Sequence, residues 1–129
     1  MFKQGPVPVF VHGVIEYLAA ALFIAAPFLF SFDSGTAKAV AIVAGVLVLI
    51  IAASTDMSTG LAKTIPLPAH VLLDYLLAIL LIASPFLFGF SGDGTATAFF
   101  IVLGVLHLLI TIGTRFVRDE KSQRRARAA

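Results

Sequence analysis

Four long apolar blocks dominate the chain, at approximately 9–30, 37–55, 68–88 and 96–117. Each is long enough to cross a bilayer as a helix, which takes about 20 apolar residues. Between them the pattern breaks into "FDSGTA", "DMSTGLAKTIPLP" and "SGDGTA". Clusters of Gly, Ser and Asp of this kind mark loops. The pattern predicts an all-α integral membrane four-helix bundle. The first block has the length of a cleavable signal sequence, but it holds His12 and Glu16 and recurs as the third block, so it is read as a span.

The recurrence covers most of the chain. Residues 11–32 match 69–90 at 12 of 22 positions, and residues 35–55 match 94–114 at 12 of 21. The shared positions include His12/His70, Tyr17/Tyr75, Pro27/Pro85 and Gly45/Gly104, and Glu16 meets Asp74. The chain is a tandem duplication of a two-helix hairpin. Its parts are a first membrane repeat at 1–56, a linker at 57–67, a second repeat at 68–117 and a basic tail at 118–129. A unit with an even number of spans inserts both copies in the same orientation. A pseudo-twofold axis along the membrane normal is therefore expected.

Composition agrees. Of the 129 residues 60% are hydrophobic and 12% charged, against about 25% charged in a soluble domain. There is no cysteine, which excludes disulfides, thiolate metal sites and cysteine nucleophiles. Lys3, Lys63 and the tail residues Arg115, Arg118, Lys121, Arg124, Arg125 and Arg127 fall on one side of a four-span layout, and Lys38 on the other. The positive-inside rule then puts both termini in the cytoplasm, as for a multi-pass protein of the inner membrane. The tail serves as a topology anchor or a contact for anionic headgroups. It is too short, and too poor in aromatics, to suggest nucleic-acid binding.

Each first helix of a repeat ends in a proline and alternating phenylalanines, "APFLFSF" at 26–32 and "SPFLFGF" at 84–90. Proline lacks an N–H and clashes with the preceding turn, so Pro27 and Pro85 should end or kink their helices. The rings that follow, Phe28 and Phe86 first, should form an aromatic belt at the interface. A substrate-gating kink is the sharper alternative. The segment Ser84-Pro85-Phe86-Leu87-Phe88-Gly89-Phe90 resembles the SPW repeat of bacterial and archaeal membrane proteins, with Phe86 in place of the tryptophan. The first copy departs further, with Ala26, Phe28 and Ser31 at the serine, tryptophan and glycine positions. The resemblance runs from residue 9 to 114. It implies a small four-helix membrane protein and no known activity.

Only two carboxylates lie within the apolar blocks, Glu16 and Asp74, each four residues after a histidine in "HGVIE" and "HVLLD". Residues i and i+4 share a helix face. An ionisable group inside a span is a functional hypothesis by default. Tyr17, Tyr75 and His107, the last with Val48 as its repeat equivalent, complete a candidate intramembrane polar cluster. Three uses are open: a structural lock between the hairpins, proton or ion chemistry, and ligation of a metal or haem. No cofactor or metal is assigned from sequence, and no hydrolase triad or phosphate loop is present. Ala41, Gly45 and Gly104 are placed at close helix contacts. The expectation is a non-catalytic structural or accessory protein that packs with itself, as a homo-oligomer, or with a larger membrane complex. A small oligomeric transporter or channel using Glu16 and Asp74, and a haem- or metal-binding redox subunit, are the alternatives.

Overall fold

The computed structural model describes residues 6–114. Four helices follow in chain order: α1 (Val9–Leu29), α2 (Gly35–Ser54), α3 (Leu67–Leu87) and α4 (Gly94–Ile112). All four are long and apolar enough to cross a membrane. A helix of 20 residues spans about 30 Å, the thickness of the hydrocarbon core. No strand is present among the described residues, only two isolated bridges, Val7 with Thr114 and Thr55 with Ile65.

The caps are repeated like the sequence. Pro8 and Pro66, both extended, precede α1 and α3. Ser34 Oγ accepts from the Ala37 N–H at 3.1 Å to cap α2, and Asp93 Oδ1 accepts from the Ala96 N–H at 3.2 Å to cap α4. One expectation is corrected here. The fourth helix, expected over 96–117, starts at Gly94 and ends at Ile112, where Gly113 leaves helical geometry with φ −82° and ψ 0° and the Thr114 N–H tightens onto the Thr111 carbonyl at 3.3 Å; residues 115–117 lie outside the described residues. Thr114 then pairs with the N-terminal segment, where the Val7 N–H donates to the Gly113 carbonyl at 3.0 Å. The basic tail residues Arg115, Arg118, Lys121, Arg124, Arg125 and Arg127, and Lys3, lie outside the described residues.

Packing is closest within each hairpin, where glycine removes a side chain from the seam. A Cβ on Gly45 would stand 2.7 Å from the Ala20 carbonyl oxygen, and one on Gly104 would stand 2.7 Å from Ile82 Cγ1. Ala41 is fully buried beside the first of these. Small residues of this kind let membrane helices approach, where van der Waals contact replaces the hydrophobic effect. The two hairpins lie side by side with the same polarity. The starts of α1 and α3 meet at His12 and His70, and the loops that follow them meet where Asp93 Oδ2 accepts from the Asp33 and Ser34 N–H groups at 2.8 and 3.0 Å. The parallel repeat geometry expected from span counting is the one observed. The Ser34 N–H, then those of Ala96 and Asp33, hold the Asp93 carboxylate below its usual range.

The proline motif ends each helix two residues later. The Phe32 N–H donates to the Pro27 carbonyl at 3.1 Å and the Phe90 N–H to the Pro85 carbonyl at 2.8 Å. Ser31 and Gly89 between them take φ of 52° and 75°. This is a Schellman closure, with a left-handed residue just past the helix and an apolar residue folded back after it. Ser84 donates its hydroxyl to the Leu80 carbonyl at 2.7 Å. The alternating rings then part company. Phe28 and Phe86 are 71% and 65% exposed and face outward, while Phe32 and Phe90 are each 2% exposed and enter the core. There they join Phe23, Phe99 and Phe100, with ring centroids 5.7 Å apart for Phe32–Phe99 and 5.0 Å for Phe90–Phe100. The first two rings of each motif are therefore exposed, as an aromatic belt requires, and the third is not.

Candidate functional site

At the opposite end of the bundle, one turn into α1 and α3, the i,i+4 pairs from the two hairpins face each other. His12 and His70 are fully buried, and Glu16 and Asp74 are nearly so. Their polar atoms form a closed ring. His12 Nε2 lies 3.1 Å from Glu16 Oε2 and 3.0 Å from Asp74 Oδ2. His70 Nε2 lies 3.0 Å from Glu16 Oε2 and 3.1 Å from Asp74 Oδ2. Each histidine thus meets its own helix's carboxylate and the other hairpin's at equal range.

The outer ring nitrogens are also paired across the hairpins. His12 Nδ1 is 2.9 Å from Thr114 Oγ1, and His70 Nδ1 is 2.7 Å from Thr55 Oγ1. Both hydroxyls donate to the carbonyl four residues earlier, Ile110 and Ile51, at 2.6 Å. A threonine hydroxyl has one proton. With that proton committed, the oxygen accepts, so both Nδ1 atoms carry hydrogen and donate. Both Nε2 atoms then face the carboxylates, either donating a proton shared between them or presenting a lone pair. Glu16 Oε1 is buried with no hydrogen-bond partner among the described residues. The four groups meet across the boundary between the hairpins inside an apolar bundle, where a charged group left without a partner costs about 3–5 kcal/mol.

The sequence-predicted cluster is assembled in part. His12, Glu16, His70 and Asp74 come together, and His107 stands at its edge, Nε2 being 3.5 Å from Asp74 Oδ1, long for a hydrogen bond. Tyr17 and Tyr75 do not join. The next residue along a helix turns about 100° away. The Tyr17 hydroxyl donates to the Thr59 carbonyl at 2.8 Å, and Tyr75 packs on the Val9, Met57, Leu67 and Val71 cluster. Thr55 and Thr114 were missed, although the repeat alignment pairs them with each other at the ends of the second helices. A haem clamp between His12 and His70 has no room, because carboxylate oxygens fill the space between the two Nε2 atoms.

Comparison with known families places the SPW repeat domain over residues 10–114 of the chain. No curated protein and no solved structure matches it.

Proposed function

The chain belongs to the SPW repeat family, and from that premise we propose that it is a small non-catalytic membrane protein of structural or accessory type. It works by helix packing, with itself or with a larger membrane complex. One observation carries this reading: His12, Glu16, His70 and Asp74, at the spans' interior, meet in contacts that cross between its own two hairpins. What remains outward is apolar, with Leu18, Phe28, Val43, Ile79, Phe86 and Leu109 all more than half exposed. Beyond the ring the buried interior is apolar and ends in packed phenylalanines, which weighs against a transport path. The inner membrane, with both termini cytoplasmic, is the placement favoured by the basic residues.

Native mass spectrometry of the protein extracted from its own membranes in mild detergent tests the proposal. Multiples of the chain mass, or the chain with a second polypeptide, support it. A single bare chain from gently solubilised membranes would overturn it.

A further inference from the structure

We propose that His12, Glu16, His70 and Asp74 are the four ligands of a site for a divalent transition-metal ion of the zinc class. Their ligand atoms alternate nitrogen and oxygen around a ring with edges of 3.0, 3.1, 3.0 and 3.1 Å, and all four lie within 4.8 Å of one another. A point equidistant from four atoms so spaced is about 2.2 Å from each if the ring is flat and about 1.9 Å if it is folded to a tetrahedron. That interval brackets zinc–nitrogen and zinc–carboxylate bonds of about 2.0–2.2 Å.

Three further features fit a metal. The threonine hydroxyls of Thr55 and Thr114 fix the Nδ1–H tautomer of each histidine and leave both Nε2 lone pairs facing the centre. Metal-ligating histidines are oriented in this way by an acceptor on the other ring nitrogen. Glu16 Oε1, the second oxygen of the carboxylate whose Oε2 is in the ring, is buried without a hydrogen-bond partner among the described residues, and a carboxylate that binds an ion through both oxygens would satisfy it. Charge also closes: two neutral imidazoles, two carboxylates and one divalent cation sum to zero, which a site within a membrane span favours. Two nitrogen and two oxygen donors suit zinc, which has no geometric preference from its d electrons, better than ions that require six ligands.

The test uses the full chain in detergent, stripped with chelator and then titrated with Zn2+ against a chromophoric competitor, with Co2+ as a spectroscopic substitute. The expected result is one ion per chain and the intense visible bands of four-coordinate Co2+. Glu16→Gln with Asp74→Asn should weaken Zn2+ by more than about 100-fold, and Thr55→Val with Thr114→Val by about 10–100-fold, the range of losses from outer-shell partners. No stoichiometric Zn2+ uptake by the wild type, or the faint spectrum of six-coordinate Co2+, overturns the site. These two readouts need no variant, so they decide the matter even if a substituted chain fails to fold. An affinity unchanged in the folded Glu16→Gln/Asp74→Asn chain overturns it equally.

Discussion

The phenylalanines of the repeated motif supply the sharpest test of the fold, because identical residues four positions apart are given opposite roles. Phe32→Ala removes a ring that is 2% exposed and packed edge-to-face 5.7 Å from Phe99, whereas Phe28→Ala removes one that is 71% exposed. In detergent the unfolded helices keep their rings in an apolar medium, so the water-transfer part of the usual cost is largely absent. The cavity part remains: about 100 Å³ of lost side chain at about 24 cal/mol per Å³ gives about 2.4 kcal/mol. Loss of the aromatic pair adds about 0.5–1.5 kcal/mol. Phe32→Ala should therefore cost about 3 kcal/mol and Phe28→Ala less than about 0.5 kcal/mol, as for other outward positions. The same contrast is expected between Phe90→Ala and Phe86→Ala, which are 2% and 65% exposed in the parent. The chain has no cysteine, so a single thiol placed at buried Ala44 reports unfolding by its labelling rate during a titration with SDS. Equal shifts for Phe28→Ala and Phe32→Ala, or a larger one for Phe28→Ala, would show that the motif is a uniform belt and that the buried closure is wrong.

Two further outcomes follow from the same loops. Ser31 holds a left-handed φ of 52° where its repeat equivalent is Gly89; Ser31→Gly should raise stability by about 1 kcal/mol in the thiol-labelling titration, the strain of a side chain in that conformation being about 1–2 kcal/mol. Asp93→Ala removes the cap of α4 and the acceptor for the Asp33 and Ser34 N–H groups, and should cost about 1–2 kcal/mol near neutral pH. The folded Asp93 carboxyl titrates below its usual range. Its contribution is therefore complete above the unfolded value of about 3.9 and is lost as pH falls through the lower folded one. A gap between wild type and Asp93→Ala that widened on acidification would contradict the assignment.

Much of the fold was legible because each helix announces itself locally, by an apolar run of bilayer length and by Gly, Ser and Asp at its ends. The i,i+4 spacing put each histidine and carboxylate on one face, and the duplication put the two faces at one depth. What sequence could not supply was partner choice. Whether His12 serves Glu16 alone or also Asp74 depends on how the hairpins dock, and docking also brings Thr114 to His12 and Asp93 to the first loop. Tyr17 and Tyr75 looked like cluster members by adjacency to the carboxylates, but the helical step turns them off that face. The end of α4 was overrun because Phe116 and Val117 continue the hydropathy, while Gly113 stops the helix by backbone conformation, which hydropathy does not register.

Duplication also explains why the copies differ where they do. The ring closes only when two His-x-x-x-carboxylate faces meet, so one hairpin alone would carry into the bilayer a histidine and acid partnered only by each other. Two identical hairpins could close it, but every residue near the axis would then be forced on both sides. In the fused chain the bulky Phe99 and Phe100 of α4 answer to Val40 and Ala41 of α2, and His107 answers to Val48. Two aromatic pairs at that level would compete for space now filled by one pair packed on Phe23 and Phe32. A second histidine at Val48 would crowd the Glu16 side, as His107 already stands against Asp74. The joined chain can therefore place a large residue opposite a small one, and a third imidazole beside only one of two carboxylates. A symmetric pair of separate hairpins has neither option, and the polar ring at one end and the aromatic core at the other are where this chain uses that freedom.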